Sequence, residues 1–187
     1  MTTVLGSGTT RTPIGAVRFA LTAGGAIAAL EFDELWDARV RRLGKRFGPV
    51  TFAPNAAAAR VAEAIDAYFA GDLSALNALE VDAGGTTFQA RVWAALRAIP
   101  AGSTLSYASV ARAIGAPRAV RAVGSANAVN PVAIVVPCHR VIGDDGQLRG
   151  YAGGIERKEW LLAHERRFGR AVIPDGRAVM SSATHRA

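Results

Sequence analysis

The sequence contains very little cysteine and histidine. Cys138 is the only cysteine among 187 residues, and there are three histidines. A single cysteine cannot form a disulfide within the chain, so nothing indicates an oxidising compartment. There is no Cys-x-x-Cys pair, and so few sulfur and imidazole ligands give little basis for a zinc site. We therefore expect neither an internal disulfide nor a metal.

Long apolar runs and a secretory signal are also missing. A membrane-spanning helix needs about 18 apolar residues, whereas the longest candidate, residues 126–136, contains two asparagines and a proline. The first residues lack the basic and then apolar pattern of a signal peptide. We expect no membrane association and a cytoplasmic location. Half of the residues are hydrophobic, which suffices for a folded core and excludes disorder by composition.

Acidic residues are absent from residues 83–143. The same segment carries six arginines, namely Arg91, Arg97, Arg112, Arg118, Arg121 and Arg140. Residues 1–85 contain 8 basic and 9 acidic residues, whereas residues 86–187 contain 14 basic and 6 acidic ones. A polyanion would meet no repulsive carboxylate here, and guanidinium groups hold phosphate oxygens well. The distribution favours nucleic acid as a partner, and a merely solvated basic face is the alternative.

Residues 1–85 are predicted to form an α/β domain. Residues 14–21 and 26–32 read as strands, and the Thr-Ala-Gly-Gly segment between them predicts a hairpin. Residues 55–70 have the composition and spacing of a helix. Residues 33–54 give no clear prediction. Because no cluster of catalytic residue types occurs in this half, its predicted role is structural.

The second half is predicted to be a mainly helical domain over residues 86–170. Ala83-Gly84-Gly85 is the expected linker, and Thr87 is the expected cap of a helix that runs to about residue 98. Further helices are expected over residues 106–114 and 118–128. Two short helices around the glycine-containing turn at residue 115 are typical of helix-turn-helix units, and also of ordinary helical hairpins.

Three later segments complete the pattern. Residues 133–136 are apolar and β-branched, so we expect them to be buried and extended. Residues 155–168 are predicted to form a helix. Residues 171–187 show no hydrophobic periodicity and are predicted to be a flexible tail.

Cys138 stands in the sequence Pro137-Cys138-His139-Arg140. A lone cysteine is most often an unreactive buried side chain. Here the neighbouring imidazole and guanidinium would favour the thiolate, which is the nucleophilic form. A histidine that acts as a base needs an acid to orient it. Glu165 is one candidate among the six acids that follow Cys138, and spacing alone does not choose between them.

The segment Pro137-Cys138-His139-Arg140-Val141-Ile142 resembles the active-site signature of the O6-alkylguanine-DNA alkyltransferases, or methylated-DNA–protein-cysteine methyltransferases. Further motifs follow the family's order and spacing over residues 86–166, and such a series is far more specific than the hexapeptide alone. They are Phe88-Gln89-x-x-Val92-Trp93, Ser106-Tyr107, Arg121-Ala122-Val123-Gly124, Asn130-Pro131, Tyr151-x-Gly153-Gly154 and Lys158-x-x-Leu161-Leu162-x-x-Glu165. The resemblance implies a ribonuclease H-like α/β domain followed by a winged helix-turn-helix domain.

The resemblance also implies catalytic roles at the matched positions. Cys138 would accept the alkyl group, and His139 would act as a base through a water molecule. Glu165 would orient His139, and Asn130 would support the Cys–His arrangement. The hydroxyl of Tyr107 would donate a proton to the departing guanine.

The lesion pocket implied by the resemblance contains Val141, Tyr151, Ala152, Gly153 and Lys158. The Val141 carbonyl would accept from the exocyclic amine of the base, and Lys158 would have a structural or a catalytic role. Ala152 stands where the family often has serine. Its backbone N–H can still donate to O6, but one side-chain contact is lost, which leaves the tolerance of bulky adducts open.

The implied DNA contacts fall on the second helix of the predicted hairpin. The family binds the minor groove, which the small residues Ala122, Gly124 and Ser125 could approach closely. Arg121 would fill the space left by a base rotated out of the duplex, with a phosphate contact as its alternative role. Arg118 lies near the start of the same helix.

The implied function is DNA repair by stoichiometric transfer of the alkyl group from O6-alkylguanine, and from O4-alkylthymine, to Cys138. No cofactor is implied, the partner is double-stranded DNA, and the expected state is a monomer, with cooperative assembly on DNA left open. One alternative is a protein that binds alkylated DNA without reacting with it, but the presence of Cys138 argues against this alternative. The other is a cysteine hydrolase, which would rarely take its base from the adjacent residue.

Overall fold

Four strands near the N-terminus form one mixed sheet in the computed structural model, which describes residues 1–169. Strands β1 (Thr3–Thr12), β2 (Gly15–Leu21) and β3 (Ile27–Phe32) are antiparallel neighbours, and β4 (Val50–Ala53) pairs in parallel with the other edge of β1. The predicted hairpin is confirmed as β2 and β3. The small sheet with flanking helices also confirms the α/β character expected for this half.

The sequence did not predict strand β1 or the elements of residues 33–54, and the reasons can be identified. Strand β1 contains two glycines and a row of threonines, which have no apolar alternation. Any side chain at Gly8 would collide with the ring of Phe19 on β2, so this glycine allows the two strands to approach. Half of the residues of helix α1 (Trp36–Phe47) are charged, and its narrow apolar stripe packs on the sheet.

Helix α2 (Ala57–Ala70) covers the opposite face of the sheet and carries Val61, Ile65 and Tyr68 inward. It ends at Gly71, whose φ of 112° is accessible mainly to glycine. The predicted helix over residues 55–70 is therefore confirmed, with its start two residues later.

Residues 86–169 contain four α-helices and one short pair of strands. They are α3 (Thr87–Arg97), β5 (Leu105–Ser106), α4 (Tyr107–Ala113), α5 (Val120–Ala128), β6 (Val141–Ile142) and α6 (Ile155–Phe168). Helix α3 is capped by Thr86 rather than Thr87, because the hydroxyl of Thr86 accepts from the backbone N–H of Gln89 and the Gln89 side chain accepts from Thr86 in return. Helix α5 begins two residues later than predicted. Helix α6 has the predicted bounds.

Residues 133–136 are buried as expected, but the prediction that they are extended is wrong. The segment forms tight turns in which Val136 donates to the carbonyl of Val132, and Ile134 has a φ of 68°. A β-branched residue rarely adopts that conformation. The turns form because the preceding residues are held against β3, where Leu30 donates to the carbonyl of Pro131 and accepts from Ala133.

One hydrophobic core joins elements from both halves of the chain. It contains Phe19 and Leu30 from the sheet, Leu96 from α3, Val123 from α5 and Leu161 from α6, all without solvent exposure. The division into domains at residues 85 and 86 stays a prediction. The predicted tail, residues 171–187, lies outside the described part of the chain. Within residues 1–169, no helix is long and apolar enough to cross a membrane.

Truncation of Leu30 to alanine tests whether the sheet and the segment around Pro131 unfold as one unit. Leu30 is fully buried at their contact, so we expect the free energy of unfolding to fall by about 2–5 kcal/mol. The matched variant Val4→Ala, at an exposed strand position, should lose less than about 1 kcal/mol. Urea denaturation followed by circular dichroism measures both free energies of unfolding. Equally small losses in the two variants would contradict a core shared by the sheet and the segment around Pro131.

Candidate active site

Cys138 lies on a short 3-10 turn, Cys138–Arg140, between the buried turns and β6. Strand β6 pairs in parallel with β5, which directly precedes α4. This pairing places Tyr107, the first residue of α4, beside the cysteine turn. Cys138 is 7% exposed and lines a cavity of about 300 Å³ together with Tyr107 and Tyr151. The cavity falls at the lower end of the sizes usual for small-molecule sites.

Asn130 holds the backbone that presents Cys138. Its side-chain amide donates to the carbonyl of Val136 over 2.8 Å, and its side-chain oxygen accepts from the backbone N–H of Val132 over 3.0 Å. Both bonds are buried, so the turns before Pro137 close around this single side chain. Asn130 also lines the cavity that contains the thiol.

The thiol of Cys138 is protonated at rest. Burial raises its pKa, and the carboxylate of Glu31 acts in the same direction, while the side chain of Asn130 and the charge of Lys158 oppose them. The guanidinium of Arg140, which was expected to favour the thiolate, donates instead to Glu165 and to the carbonyl of Ile99.

His139 and Glu165 form a buried pair. The distance from His139 Nε2 to Glu165 Oε1 is 2.8 Å, and both side chains are completely inaccessible to solvent. An ionised carboxylate can only accept, so Nε2 carries the hydrogen and Nδ1 of the neutral imidazole is left as an acceptor. Nδ1 has no hydrogen-bond partner among residues 1–169. The pair therefore presents one fixed tautomer with a free basic nitrogen.

Glu165 stays ionised although it is buried. Burial would raise its pKa, but the hydrogen bonds and charges of His139 and Arg140 lower it well below the ordinary range. Arg140 donates to both carboxylate oxygens, over 2.8 Å and 3.0 Å. The backbone N–H of Gly102 donates to Oε2 over 3.0 Å, and the hydroxyl of Tyr68 donates to Oε1 over 2.8 Å. The carboxylate is thus saturated with donors.

The imidazole of His139 is neutral at neutral pH. Burial lowers its pKa, and the charges of Arg140 and Lys158 lower it further, while the bond to Glu165 and its charge raise it. A neutral thiol therefore lies in the same turn as a neutral base. Charge separation is needed only when the thiol gives up its proton.

The N-terminal half supplies two side chains that sequence reasoning treated as structural. Tyr68 on α2 donates to Glu165, and Glu31 on β3 lines the cavity of Cys138. No local pattern identifies either residue, because Tyr68 reads as an ordinary core aromatic of an amphipathic helix. Contacts across 97 residues of sequence leave no periodic signal.

Lys158 and Val141 were expected in the pocket, but neither of them lines the cavity of Cys138. The Lys158 ammonium is buried and donates to the carbonyls of Val141, over 2.6 Å, and of Arg149, over 2.7 Å. Burial lowers the pKa of Lys158 to about 8. The Val141 carbonyl expected to receive a base thus already accepts from Lys158, and only its second lone pair is free for another donor. Lys158 ties the loop before α6 to β6.

Residues 150–153 close one side of the cavity. Tyr151, Ala152 and Gly153 all line it. A side chain at Gly153 would collide with the ring of Phe32, so glycine is needed for the loop to lie against the sheet. The structure thus brings Tyr107, Asn130, Tyr151, Ala152 and Gly153 together around Cys138.

The residues expected to contact DNA lie on one exposed surface beside the cavity. Arg118, Arg121, Ala122 and Ser125 are exposed, and Gly124 is half-buried. Arg121 borders an open depression that shares Tyr107 and Gly124 with the cavity of Cys138. A ligand lying across α5 would therefore meet the entrance to the thiol.

Acid should destabilise the fold through His139 and Glu165. Both have a folded-state pKa below the ordinary values of 6.5 and 4.5, so the unfolded chain takes up protons first and stability is lost as the pH falls through those values. We expect urea denaturation to show a loss beginning near pH 6.5 and steepening below pH 4.5.

The variant Glu165→Gln should be destabilised at pH 7, by about 3–5 kcal/mol, because Arg140 loses its buried counterion. It should also lose the steep decline below pH 4.5. The exposed residue Glu63 on α2 gives the matched variant Glu63→Gln, which should keep the wild-type profile. If Glu165→Gln lost as much stability below pH 4.5 as the wild type does, the assignment of that loss to Glu165 would be wrong.

Comparisons with known proteins agree on one family. A family model described as the 6-O-methylguanine DNA methyltransferase DNA-binding domain matches residues 87–167. A methylated-DNA–protein-cysteine methyltransferase of Mycolicibacterium paratuberculosis is 57% identical over 120 residues, which are 64% of this chain and 72% of that protein. The protein of the same name from Salmonella typhimurium is 60% identical over 98 residues, 52% of this chain, and the match spans only 57% of its length.

A solved structure extends the likeness beyond the matched sequence segment. The crystal structure of Mycobacterium tuberculosis OGT in complex with DNA has a TM-score of 0.72 and 42% identity, and the match covers 87% of this chain and 93% of that one. The likeness therefore includes the N-terminal sheet as well as the helices. The family expected from the motifs is confirmed: the chain belongs to the methylated-DNA–protein-cysteine methyltransferases.

Proposed function

We propose that this protein repairs DNA by transferring the alkyl group from the O6 atom of a guanine, or the O4 atom of a thymine, to the thiol of Cys138. The observation that carries this proposal is a buried thiol that lines a cavity, in one turn with an imidazole whose free nitrogen is fixed by Glu165. The name of the Mycolicibacterium relative describes the same chemistry.

The proposed transfer balances without a cofactor. A carbon–sulfur bond forms at Cys138 while the bond between the alkyl carbon and O6 breaks, and the electron pair of that bond stays with the guanine. The thiol proton goes to Nδ1 of His139, and the developing negative charge on the base is met by a proton from Tyr107. Burial raises the pKa of Tyr107, which keeps its hydroxyl protonated until then. The proton on His139 then returns to Tyr107 through solvent, so the net change converts a thiol and an alkyl ether into a thioether and guanine.

Glu165 and Arg140 make the proton transfer feasible inside the protein. At rest burial lowers the pKa of His139 and keeps it neutral, while the charge of Arg140 offsets that of Glu165. When His139 accepts the proton, the ionised carboxylate at 2.8 Å stabilises the imidazolium. The thioether has no second thiol to attack it, because Cys138 is the only cysteine. The protein is therefore consumed by one reaction.

We also propose that α4, the turn after it and α5 form a helix-turn-helix unit for double-stranded DNA, with β5 and β6 belonging to its wing, and that the sheet with α2 forms the ribonuclease H-like domain. Arg121 on α5, Arg118 in the turn before it, both exposed, and the acid-free segment support this assignment. The proposed state is a monomer that takes the lesion base into the cavity by rotating it out of the duplex.

Intact-mass measurement tests the chemistry directly. With a duplex that contains O6-methylguanine in excess, each chain should gain the mass of one methyl group, located on Cys138, and the reaction should then stop. Cys138→Ser should bind the same duplex without gaining mass. Repeated turnover, or product formed by a chain of unchanged mass, would refute the transfer and favour a hydrolase.

Replacement of Arg121 tests the proposed base rotation. Arg121→Ala should slow transfer from duplex DNA by about tenfold or more, because extruding a base costs a few kcal/mol, while its rate on free O6-benzylguanine should stay near wild type. Arg60 is an exposed arginine on α2, and Arg60→Ala should behave as wild type with both substrates. Equal slowing of Arg121→Ala on duplex and free base would contradict the assigned role.

A further inference from the structure

One oxygen of Glu165 accepts hydrogen bonds from three side chains. Its Oε1 accepts from the hydroxyl of Tyr68, from Nε2 of His139 and from a terminal nitrogen of Arg140, each over 2.8 Å. A carboxylate oxygen has about two lone-pair positions, so the three donors compete at this atom. The proposed alkyl transfer uses His139 and Glu165 but gives the hydroxyl of Tyr68 no part.

The fold fixes the hydroxyl of Tyr68 at this position. Tyr68 lies on α2 and has no solvent exposure. Its backbone carbonyl accepts from Nε2 of His164 on α6 over 2.8 Å, one residue before Glu165. The ring packs edge-on against Phe69, with 5.2 Å between the ring centroids. Both ends of Tyr68 are therefore attached to the same turn of α6, and the hydroxyl cannot turn away without breaking this packing.

The hydroxyl of Tyr68 stays a neutral donor. Burial raises the pKa of Tyr68, and the charge of Glu165 raises it further. An ionised carboxylate can only accept, so the O–H hydrogen of Tyr68 points at Oε1 of Glu165. The positive end of a fixed dipole therefore lies against the carboxylate that orients His139.

This dipole opposes the protonation of His139. The imidazolium would be stabilised by the negative charge on Oε1, and another donor that shares this oxygen weakens the stabilisation. The charges of Arg140 and Lys158 also oppose protonation, whereas Glu165 favours it. The ring of Tyr151 lies edge-on to the imidazole, with 6.5 Å between the centroids. A change at Oε1 of Glu165 therefore acts on the group that makes His139 basic.

We propose that Tyr68 is a positioning residue that acts through Glu165: its hydroxyl restrains the basicity of His139 and thereby keeps the thiol of Cys138 protonated until a lesion occupies the cavity. The inference rests on the proposed alkyl transfer for its purpose, but its effect on His139 needs no DNA. The proton moves from the thiol to Nδ1 of His139, and Tyr68 neither gains nor loses one. A residue of the N-terminal half thus sets the reactivity of a nucleophile in the other half.

The test changes the donor at position 68 in both directions. Tyr68→Phe keeps the ring and removes the hydroxyl. Site-specific incorporation of 3-fluorotyrosine at the same position keeps the hydroxyl and strengthens it as a donor, because fluorine makes the phenol more acidic. The matched control is Phe69→Leu. Phe69 packs against Trp160 and His164 of α6 but has no donor for Glu165, so this variant loosens the same contact between helices and leaves Oε1 unchanged.

Two measurements at neutral pH need no DNA. Intact mass follows the rate at which iodoacetamide alkylates the folded protein, and the label reports on Cys138 alone because the chain has one cysteine. Proton–nitrogen NMR of the imidazoles follows the Nε2–H of His139, whose signal moves downfield as its bond to Glu165 strengthens. The chain has three histidines, and the signal is identified by its loss in His139→Gln. Circular dichroism checks the folding of each variant.

Tyr68→Phe should react with iodoacetamide faster than the wild type, by about threefold or more, because one hydrogen bond to the charged carboxylate no longer weakens the base. Its Nε2–H signal should move downfield. The fluorotyrosine protein should react more slowly than the wild type, with the signal moved upfield. Phe69→Leu should keep the wild-type rate and signal. A purely structural role for Tyr68 predicts no such opposite responses to removal and strengthening of the donor.

The outcomes separate this inference from the proposed function. A folded Tyr68→Phe that reacts no faster than the wild type, or an equal acceleration in Phe69→Leu, overturns the inference. If Tyr68→Phe does not fold, the fluorotyrosine protein provides the test: a slower reaction with an upfield signal supports the restraint, and an unchanged rate or signal overturns it. Failure of the wild type to take up methyl from O6-methylguanine overturns the proposed function and leaves the effect on His139 standing.

Discussion

The buried carboxylate of Glu165 is the interaction on which the rest of the site depends. A carboxylate with no solvent exposure survives as an anion only if donors surround it. They come from α2 through Tyr68, from the turn after α3 through Gly102, and from the cysteine turn through His139 and Arg140. Elements that are distant in sequence must therefore meet at one point on α6 before His139 acquires a defined orientation.

In the proposed transfer, the electrostatics of the site keep the thiol and the imidazole neutral until an alkyl group is present. Burial raises the pKa of Cys138 and lowers that of His139, so thiol and imidazole are both neutral at rest. A permanently exposed thiolate would be open to oxidation and to unrelated electrophiles. In this arrangement the ion pair of Glu165 and Arg140 supplies a preorganised field, and the reactive charges arise only during transfer.

The N-terminal sheet is part of the site as well as of the core. Leu30 holds the segment around Pro131 in place, and the next residue, Glu31, faces the cavity. Alternation along β3 explains this division, since successive side chains point to opposite sides of a sheet. Here the end of the strand is covered on both sides, so both residues are buried. The cavity of Cys138 therefore includes a side chain from outside the segment that the family model matches.

The sequence by itself determined the family, the hairpin of β2 and β3 and the bounds of α6, and it supplied the proposed nucleophile, because ordered motifs and local periodicity depend on neighbouring residues. It did not reveal α1, with its narrow apolar stripe, or β1, which has no apolar alternation. Only the tertiary structure decided that residues 133–136 turn back on themselves, that Arg140 serves Glu165 rather than the thiol, and that Tyr68 and Glu31 reach the site. Those outcomes depend on which buried groups find partners across the fold. The local sequence around a residue is the same whether its side chain contacts solvent, the hydrophobic core or the carboxylate of Glu165.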